Sequence, residues 1–287
     1  MAIDYRTLLA RPFPERRQSY DGRDCILYAL GLGLGSDPLA PAELAHVYEA
    51  GLQALPTMAT VIGQPGFWVA EPDTGIDHSR VVHGEQSLVV HAPLAAAGEL
   101  VGRTRIVDIV DKGAGRGALL RLRTQLHDAL TDRLQSTLVS TIFCRGDGGF
   151  GGPAGTAPAA EPMPETVPDH RVLRPIPMQA ALIYRLSGDL NPLHADPAAA
   201  ILAGFDRPIL HGLATYGLAG FALQQARGQR DAASLQALSC RFTAPIFPGE
   251  TLRTDIWRSG DDMIFRSVAV ERDVVVLDRG RASFGLF

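Results

Sequence analysis

Lysine is almost missing from this chain. Of 27 Lys and Arg residues in 287, only Lys112 is a lysine, and 31 Asp and Glu bring the formal net charge to −4. No long basic run offers the stripe that neutralises phosphates, so nucleic acid is not an expected partner. Cysteine is equally scarce. Cys25, Cys144 and Cys240 stand far apart with no C-x-x-C spacing, which excludes a readable disulfide framework or zinc site and leaves them as small core hydrophobes suited to a reducing compartment. A long apolar run is also absent. The longest relevant uncharged stretch, Pro208 to Ala226, contains His211, Thr215, Tyr216, Gln224 and Gln225, whereas a spanning helix needs about 20 predominantly apolar residues. It is expected to be a buried helix, and no membrane association is expected. MAIDYRTLLARPFPERR is too polar for a signal peptide, and SFGLF is not the S-K-L type of peroxisomal address. A cytoplasmic protein is the expectation.

What is present suits one large globular domain or two of about 140 residues each, since 46% of the residues are hydrophobic and 20% charged. The division falls at 146–168, where eleven of 23 residues are Gly or Pro and neither a helix nor a central strand can be sustained. This gives an N-terminal half, 1–145, a linker, 146–168, and a C-terminal half, 169–287. The halves echo one another. His91-Ala92-Pro93-Leu94 followed by Gly98-Glu99-Leu100 returns as Thr243-Ala244-Pro245-Ile246 followed by Gly249-Glu250-Thr251-Leu252, the mark of a degenerate internal duplication.

β-type runs follow each copy. Leu120, Leu122, Thr124 and Leu126 alternate with Arg121, Arg123, Gln125 and His127, the period of a strand with one buried face. Leu100 to Val110 and Leu134 to Phe143 read likewise, with a turn at 111–115. After the second copy come Leu252 to Trp257, Ile264 to Val270 and Val274 to Leu277, separated by turns at 259–262 and 272–273. Helical patterns precede the strands at Arg23 to Leu32, Pro41 to Ala50 and Pro208 to Ala226. A helix followed by a meander in each half is an α+β plan. Glu49, read as lying on an apolar helical stripe, is expected to pair with a tyrosine such as Tyr28 or with an arginine, because an unpaired buried charge is costly.

The stretch with most chemistry is YRLSGDLNPLHADPAAAILAGFDRPILHGLATYGLAG, from Tyr184 to Gly220. Gly188, Asn191 and Pro192 make it turn-rich, and it presents Asp189 and His194 five residues apart. A carboxylate and an imidazole there could share one water and supply an acid and a base, though turn formation and capping fit the same residues. Gly212 opens the long apolar helix, where free backbone N–H groups and the positive end of the helix dipole could hold a ligand oxygen. Close helix packing is the other use of that glycine.

Ser187-Gly-Asp-Leu-Asn-Pro-Leu-His194 followed by Ala203-Gly-Phe-Asp-Arg-Pro-Ile-Leu-His-Gly212 closely resembles the hydratase 2 motif of the MaoC-like (R)-specific enoyl-CoA hydratases. The runs at 28–31, 47–49, 83–86 and 108–113 look like the corresponding runs of the two-domain members, which include the hydratase part of peroxisomal multifunctional enzymes. The resemblance implies a double hot-dog fold, each half a central helix wrapped by an antiparallel sheet. It also implies an N-terminal half that has lost the motif and makes room for the acyl chain. Consistent with that, the nearest N-terminal echo, Gly35-Ser36-Asp37-Pro38-Leu39, finds its next histidine only at His46.

The implied reaction is a lyase step of fatty-acid β-oxidation type, reversible hydration of a trans-2-enoyl-CoA to an (R)-3-hydroxyacyl-CoA. A MaoC-like dehydratase of branched, dicarboxylic or carrier-protein thioesters is the alternative, as is a non-catalytic acyl-CoA-binding module. By the resemblance, Asp189 and His194 hold the water and divide the acid and base roles in either order. Asn191 orients them, and the Gly212 N–H polarises the thioester carbonyl. No metal or other cofactor is implied, CoA being part of the substrate. His83 and Gly84, placed before a strand, are implied to line the substrate passage together with Leu190, Pro192, Leu193 and Phe242, and Lys112 to meet a CoA phosphate as a compact point charge. A homodimer is compatible with this reading.

Overall fold

The computed structural model describes residues 3–155, 162–228 and 235–285. In chain order the first half holds α1 (Tyr5–Leu9), β1 (Arg16–Tyr20), α2 (Gly22–Gly31), α3 (Pro41–Val47), β2 (Val81–Val90), β3 (Gly98–Asp111), β4 (Ala118–Asp128) and β5 (Leu134–Cys144). The second holds β6 (His170–Pro175), α4 (Ala180–Tyr184), α5 (Pro197–Leu202), α6 (Gly212–Arg227), β7 (Leu235–Phe242), β8 (Thr251–Ser259), β9 (Asp262–Ala269) and β10 (Val274–Phe284).

All ten strands form one antiparallel sheet in the order β1-β3-β4-β5-β2-β7-β10-β9-β8-β6. Read outward from the middle, the two sides are the same arrangement, with β7 answering β2, β10 answering β5 and so on to β6 and β1. The echoed Ala-Pro segments occupy equivalent places, joining β2 to β3 and β7 to β8. Two hot-dog sheets are thus fused side by side, and their seam is the β2–β7 pairing from Glu85↔Arg241 to Val89↔Ala237. An ion pair crosses it, Arg241 Nη2 to Glu85 Oε1 at 2.6 Å.

α6 is buried through most of its length, from Ala214 to Gln224, as its nearly all-round apolar sequence demands. One core runs through both halves, taking in Leu32, Leu88, Leu126 and Leu138 with Leu218, Phe221, Leu238 and Phe265. A smaller cluster gathers Leu8, Trp68, Ile109, Leu120 and Leu122. α2 meets α4 at a glycine: a Cβ on Gly31 would stand 2.8 Å from the Cα of Tyr184.

Several expectations change. α6 begins at Gly212 rather than Pro208, because 208–210 is an extended entry whose Leu210 N–H donates to the Ile246 carbonyl at 2.9 Å. β10 runs on to Phe284, well beyond Leu277. Its alternation is hidden by a bulge at 278–281, where Arg279 adopts a positive φ of 54°. His83 and Gly84 lie inside β2, not before it, and Gly84 sits at a register shift between His83 and Glu85. Glu49 lies past the end of α3 and is exposed. The glutamate of α3 that is buried and paired is Glu43. Its Oε1 accepts from Arg174 Nη1 at 2.5 Å across the two halves, and its Oε2 accepts from Gly35 N at 2.7 Å.

The described parts of 146–168 contain no helix or strand. The opening of the segment is nevertheless tied down, since the Asp111 carboxylate accepts from the N–H groups of Gly149, Gly151 and Gly152 as well as Gly113. Those bonds hold the carboxyl below its ordinary range. The cysteines are buried and free, as their scatter implied.

Candidate active site

The Asp189 loop is built by local bonds that its sequence supplies. Gly188 takes φ 125°, a conformation closed to most side chains, and turns the chain out of the short helical run after α4. Asp189 Oδ1 then accepts from Asn191 N at 3.1 Å, and Asn191 Oδ1 caps the next turn by accepting from Leu193 N at 3.0 Å. Asn191 therefore fixes the loop from both sides. Arg185 reaches back to the Leu190 carbonyl at 3.4 Å. The result is an exposed Asp189 beside a buried His194.

His194 is oriented by its ring. Nδ1 lies 2.9 Å from the Ile209 carbonyl oxygen, and a carbonyl only accepts, so Nδ1 carries the proton and Nε2 keeps a free lone pair. Burial lowers the basicity of the ring, while the Ile209 carbonyl and the Asp189 carboxylate act in the opposite direction. The imidazole is thus a neutral base with its lone pair available near neutral pH.

A third group joins them that sequence reasoning had used only as part of a motif. The His211 ring stacks on His194 with centroids 3.7 Å apart, and its Nε2 donates to the Asp189 carbonyl at 3.1 Å. One ligand-capable atom from each of Asp189, His194 and His211 falls within 4.8 Å of the others. Among the described residues this is the one such group. A carboxylate and two imidazoles could ligate a divalent metal, each ring through the nitrogen that is not bonded to a backbone carbonyl. Tyr184, also unread from sequence, backs His211 with ring centroids 4.9 Å apart. Its signal was its place at the head of the motif stretch.

The other half contributes His83. It packs on Phe242 with centroids 4.7 Å apart, and a Cβ on Gly212 would meet that same Phe242 ring at 3.3 Å. Burial pushes His83 down to about 4, against the pull of the Glu85 carbonyl, Gln86 and the Asp189 carboxylate. Gly212 is the first residue of α6, upstream of the helical ladder, so its N–H has no intrahelical acceptor. Asp189, Asn191, His194, Gly212, His83 and Phe242 are therefore gathered at one place, spanning the β2–β7 seam.

The remaining candidates lie further out. Leu190 and Pro192 are exposed and Leu193 half-buried on the loop. Gly84, at the bulge, faces the Thr141 backbone carbonyl. Lys112 is not brought to the cluster. Its Nζ lies 5.2 Å from the centre of the Phe143 ring, and Phe143 opposes Val82 while Ile142 opposes His83. By strand alternation the lysine is on the opposite face of the sheet from His83.

Comparison with known proteins agrees with this architecture. Residues 18–146 match the MFE-2 hydratase 2 N-terminal domain, and residues 159–279 match the MaoC like domain. The chain is 44% identical to 3-hydroxyacyl-thioester dehydratase Y of Mycobacterium tuberculosis, covering 99% of each chain. It is 40% identical to enoyl-CoA hydratase ChsH3 of the same organism, covering 98% of each. Among solved structures, a MaoC-like dehydratase from Phytophthora capsici superposes with a TM-score of 0.85 at 31% identity, over 99% of this chain and 100% of that one.

Proposed function

The chain belongs to the MaoC-like hydratase family, with a MaoC-like domain following an N-terminal domain of the MFE-2 hydratase 2 type, and from that membership we propose that it reversibly hydrates trans-2-enoyl-CoA to (R)-3-hydroxyacyl-CoA. Its relatives carry names for both directions of this one equilibrium, hydration of an enoyl-CoA and dehydration of a 3-hydroxyacyl thioester. The observation that supports the reading is that an Asp189 carboxylate oxygen and a His194 ring nitrogen lie within 4.8 Å of one another at the head of α6.

In this reading Asp189 and His194 hold one water between them. His194 Nε2 takes a proton from water as the water oxygen bonds to the β carbon. The double-bond electrons shift toward the thioester, and the negative charge building on its oxygen is held by the Gly212 N–H. The α carbon then takes a proton by way of the Asp189 carboxylate, which receives it from the His194 imidazolium. That relay returns both groups to their starting state. The thioester itself acidifies the α position, so the proposal includes no metal or redox cofactor.

The first half, which has no Asp/His loop of its own, provides His83 and room for the acyl chain. Among the described residues no helix is long and apolar enough to cross a membrane, and a cytoplasmic location is part of the proposal. The test is loss of enoyl absorbance with crotonyl-CoA, the product being passed to an (R)-specific and to an (S)-specific 3-hydroxyacyl-CoA dehydrogenase. Oxidation by the (R)-specific enzyme alone is expected. No hydration, or coupling to the (S)-specific enzyme, overturns the proposal.

A further inference from the structure

His211 takes no part in the proton transfers above, yet its side chain touches both Asp189 and His194. It is 1% exposed and stands at the N-cap position of α6, immediately before Gly212, with no capping bond from its side chain. Its Nε2 is 3.1 Å from the Asp189 carbonyl oxygen and therefore carries the proton. Its face lies on His194, with 26° between the rings, and Tyr184 lies 4.9 Å away. Nδ1 is buried with no protein partner among the described residues. A buried imidazole with an unsatisfied nitrogen carries a desolvation penalty that a purely apolar filler would avoid.

We propose that His211 is a positioning residue of this site: its N–H fixes the Asp189 turn, its ring fixes the His194 ring, and together they set the gap in which the reacting water sits. The proposal rests on the hydratase reading of Asp189 and His194. Two stacked imidazoles cannot both be charged at this separation. The groups facing His211 are His194, Asp189, Arg185 and Tyr184. Burial first and His194 second push His211 down to about 4, against Asp189. It therefore stays neutral when His194 takes the proton from water, and its ring face then lies against the imidazolium. The same ring keeps His194 dry, which contributes to the lowered basicity of His194.

Two variants of the full chain separate the two contacts. His211→Phe keeps a ring over His194 but loses the donor to Asp189, and His211→Gln keeps a donor but loses the stack. With crotonyl-CoA, His211→Phe should lower kcat by about 10- to 100-fold with KM nearly unchanged and the acid limb of the pH profile in place, the scale of a misplaced reacting group. His211→Gln should recover most of kcat, and its acid limb should move to higher pH as His194 becomes hydrated. NMR titration of the His194 imidazole in wild type and His211→Gln reads that shift without activity. An active wild type whose two variants keep both kcat and the limb overturns the proposal. So does an unshifted limb with kcat and melting temperature lowered alike in both, which is a structural role only. An inactive wild type in which the His194 midpoint still rises in His211→Gln overturns the hydratase reading and leaves the positioning role standing.

Discussion

At the scale of single residues the geometry separates groups that the motif ran together. Asp189 and His194 face one another, and both are needed in the proposed reaction, so Asp189→Asn or His194→Gln should each lower kcat by about 100-fold or more. The double variant should lose little beyond the worse single one, because the two act as a unit. Kinetics on variants with unchanged circular dichroism check this, and wild-type activity in either single variant rules the pair out. Asp189, His194 and Gly212 stand out in the sequence as turn and helix-start features that fit turn formation, capping and packing equally well, and their roles, with that of Asn191, come from the family resemblance. His211 was in plain view within the same motif. Its importance comes from a ring stack and from a bond to a carbonyl 22 residues away, neither of which has any spacing signal. Lys112 shows the converse. Its rarity and charge made it conspicuous, but which face of a sheet a turn residue serves depends on strand register.

At the scale of elements, α2 and α4 approach so closely that Gly31 has no room for a side chain. Gly31→Ala places a methyl 2.8 Å from the Tyr184 Cα, and the helices must part. This should destabilise the protein by about 1–3 kcal/mol, read as a lower urea midpoint. Because Tyr184 backs His211, kcat should fall as well. An unchanged midpoint would mean that the contact is loose. The meander strands β3, β4, β5, β8 and β9 were legible because they alternate over long stretches with Gly or Asp turns between them. β1, β6 and β7 were not read as strands, and β2 was read only as a strand beginning after Gly84. β1 and β6 are short, half-exposed edges with mostly polar sequences. β2 carries a bulge at Gly84 that shifts its period by one residue.

For the whole molecule, buried histidines link stability to pH. His83 and His211 are pushed from 6.5 to about 4, and His46 and His194 are also lowered, all chiefly by burial. The unfolded chain therefore binds protons first as pH falls. The stability of keeping these rings neutral is complete above about pH 6.5 and is lost progressively down to about pH 4. The melting temperature should drop by several degrees between pH 7.5 and 5, and a flat profile would contradict the burial of these rings. The seam gives a second test. Residues 165–287 expressed alone would expose the β7 edge that β2 covers, so the fragment should aggregate or self-associate. A soluble, monomeric fragment with full activity and the same chain-length profile would refute a joint site.

The sequence by itself determined the α+β composition, the meander in each half, the repeated Ala-Pro connection, the all-round apolar α6 and the loop that presents Asp189 and His194. Each of these is written in short-range periodicity, turn chemistry or motif spacing. Only the tertiary structure decided that β2 and β7 pair, which brings His83 of one half against Phe242 and toward Asp189 of the other. It also decided that near α3 Glu43 rather than Glu49 is buried and paired, with Arg174 as its partner. Such contacts join residues more than a hundred positions apart, and they depend on which faces and edges meet when the chain collapses, information that no local pattern carries.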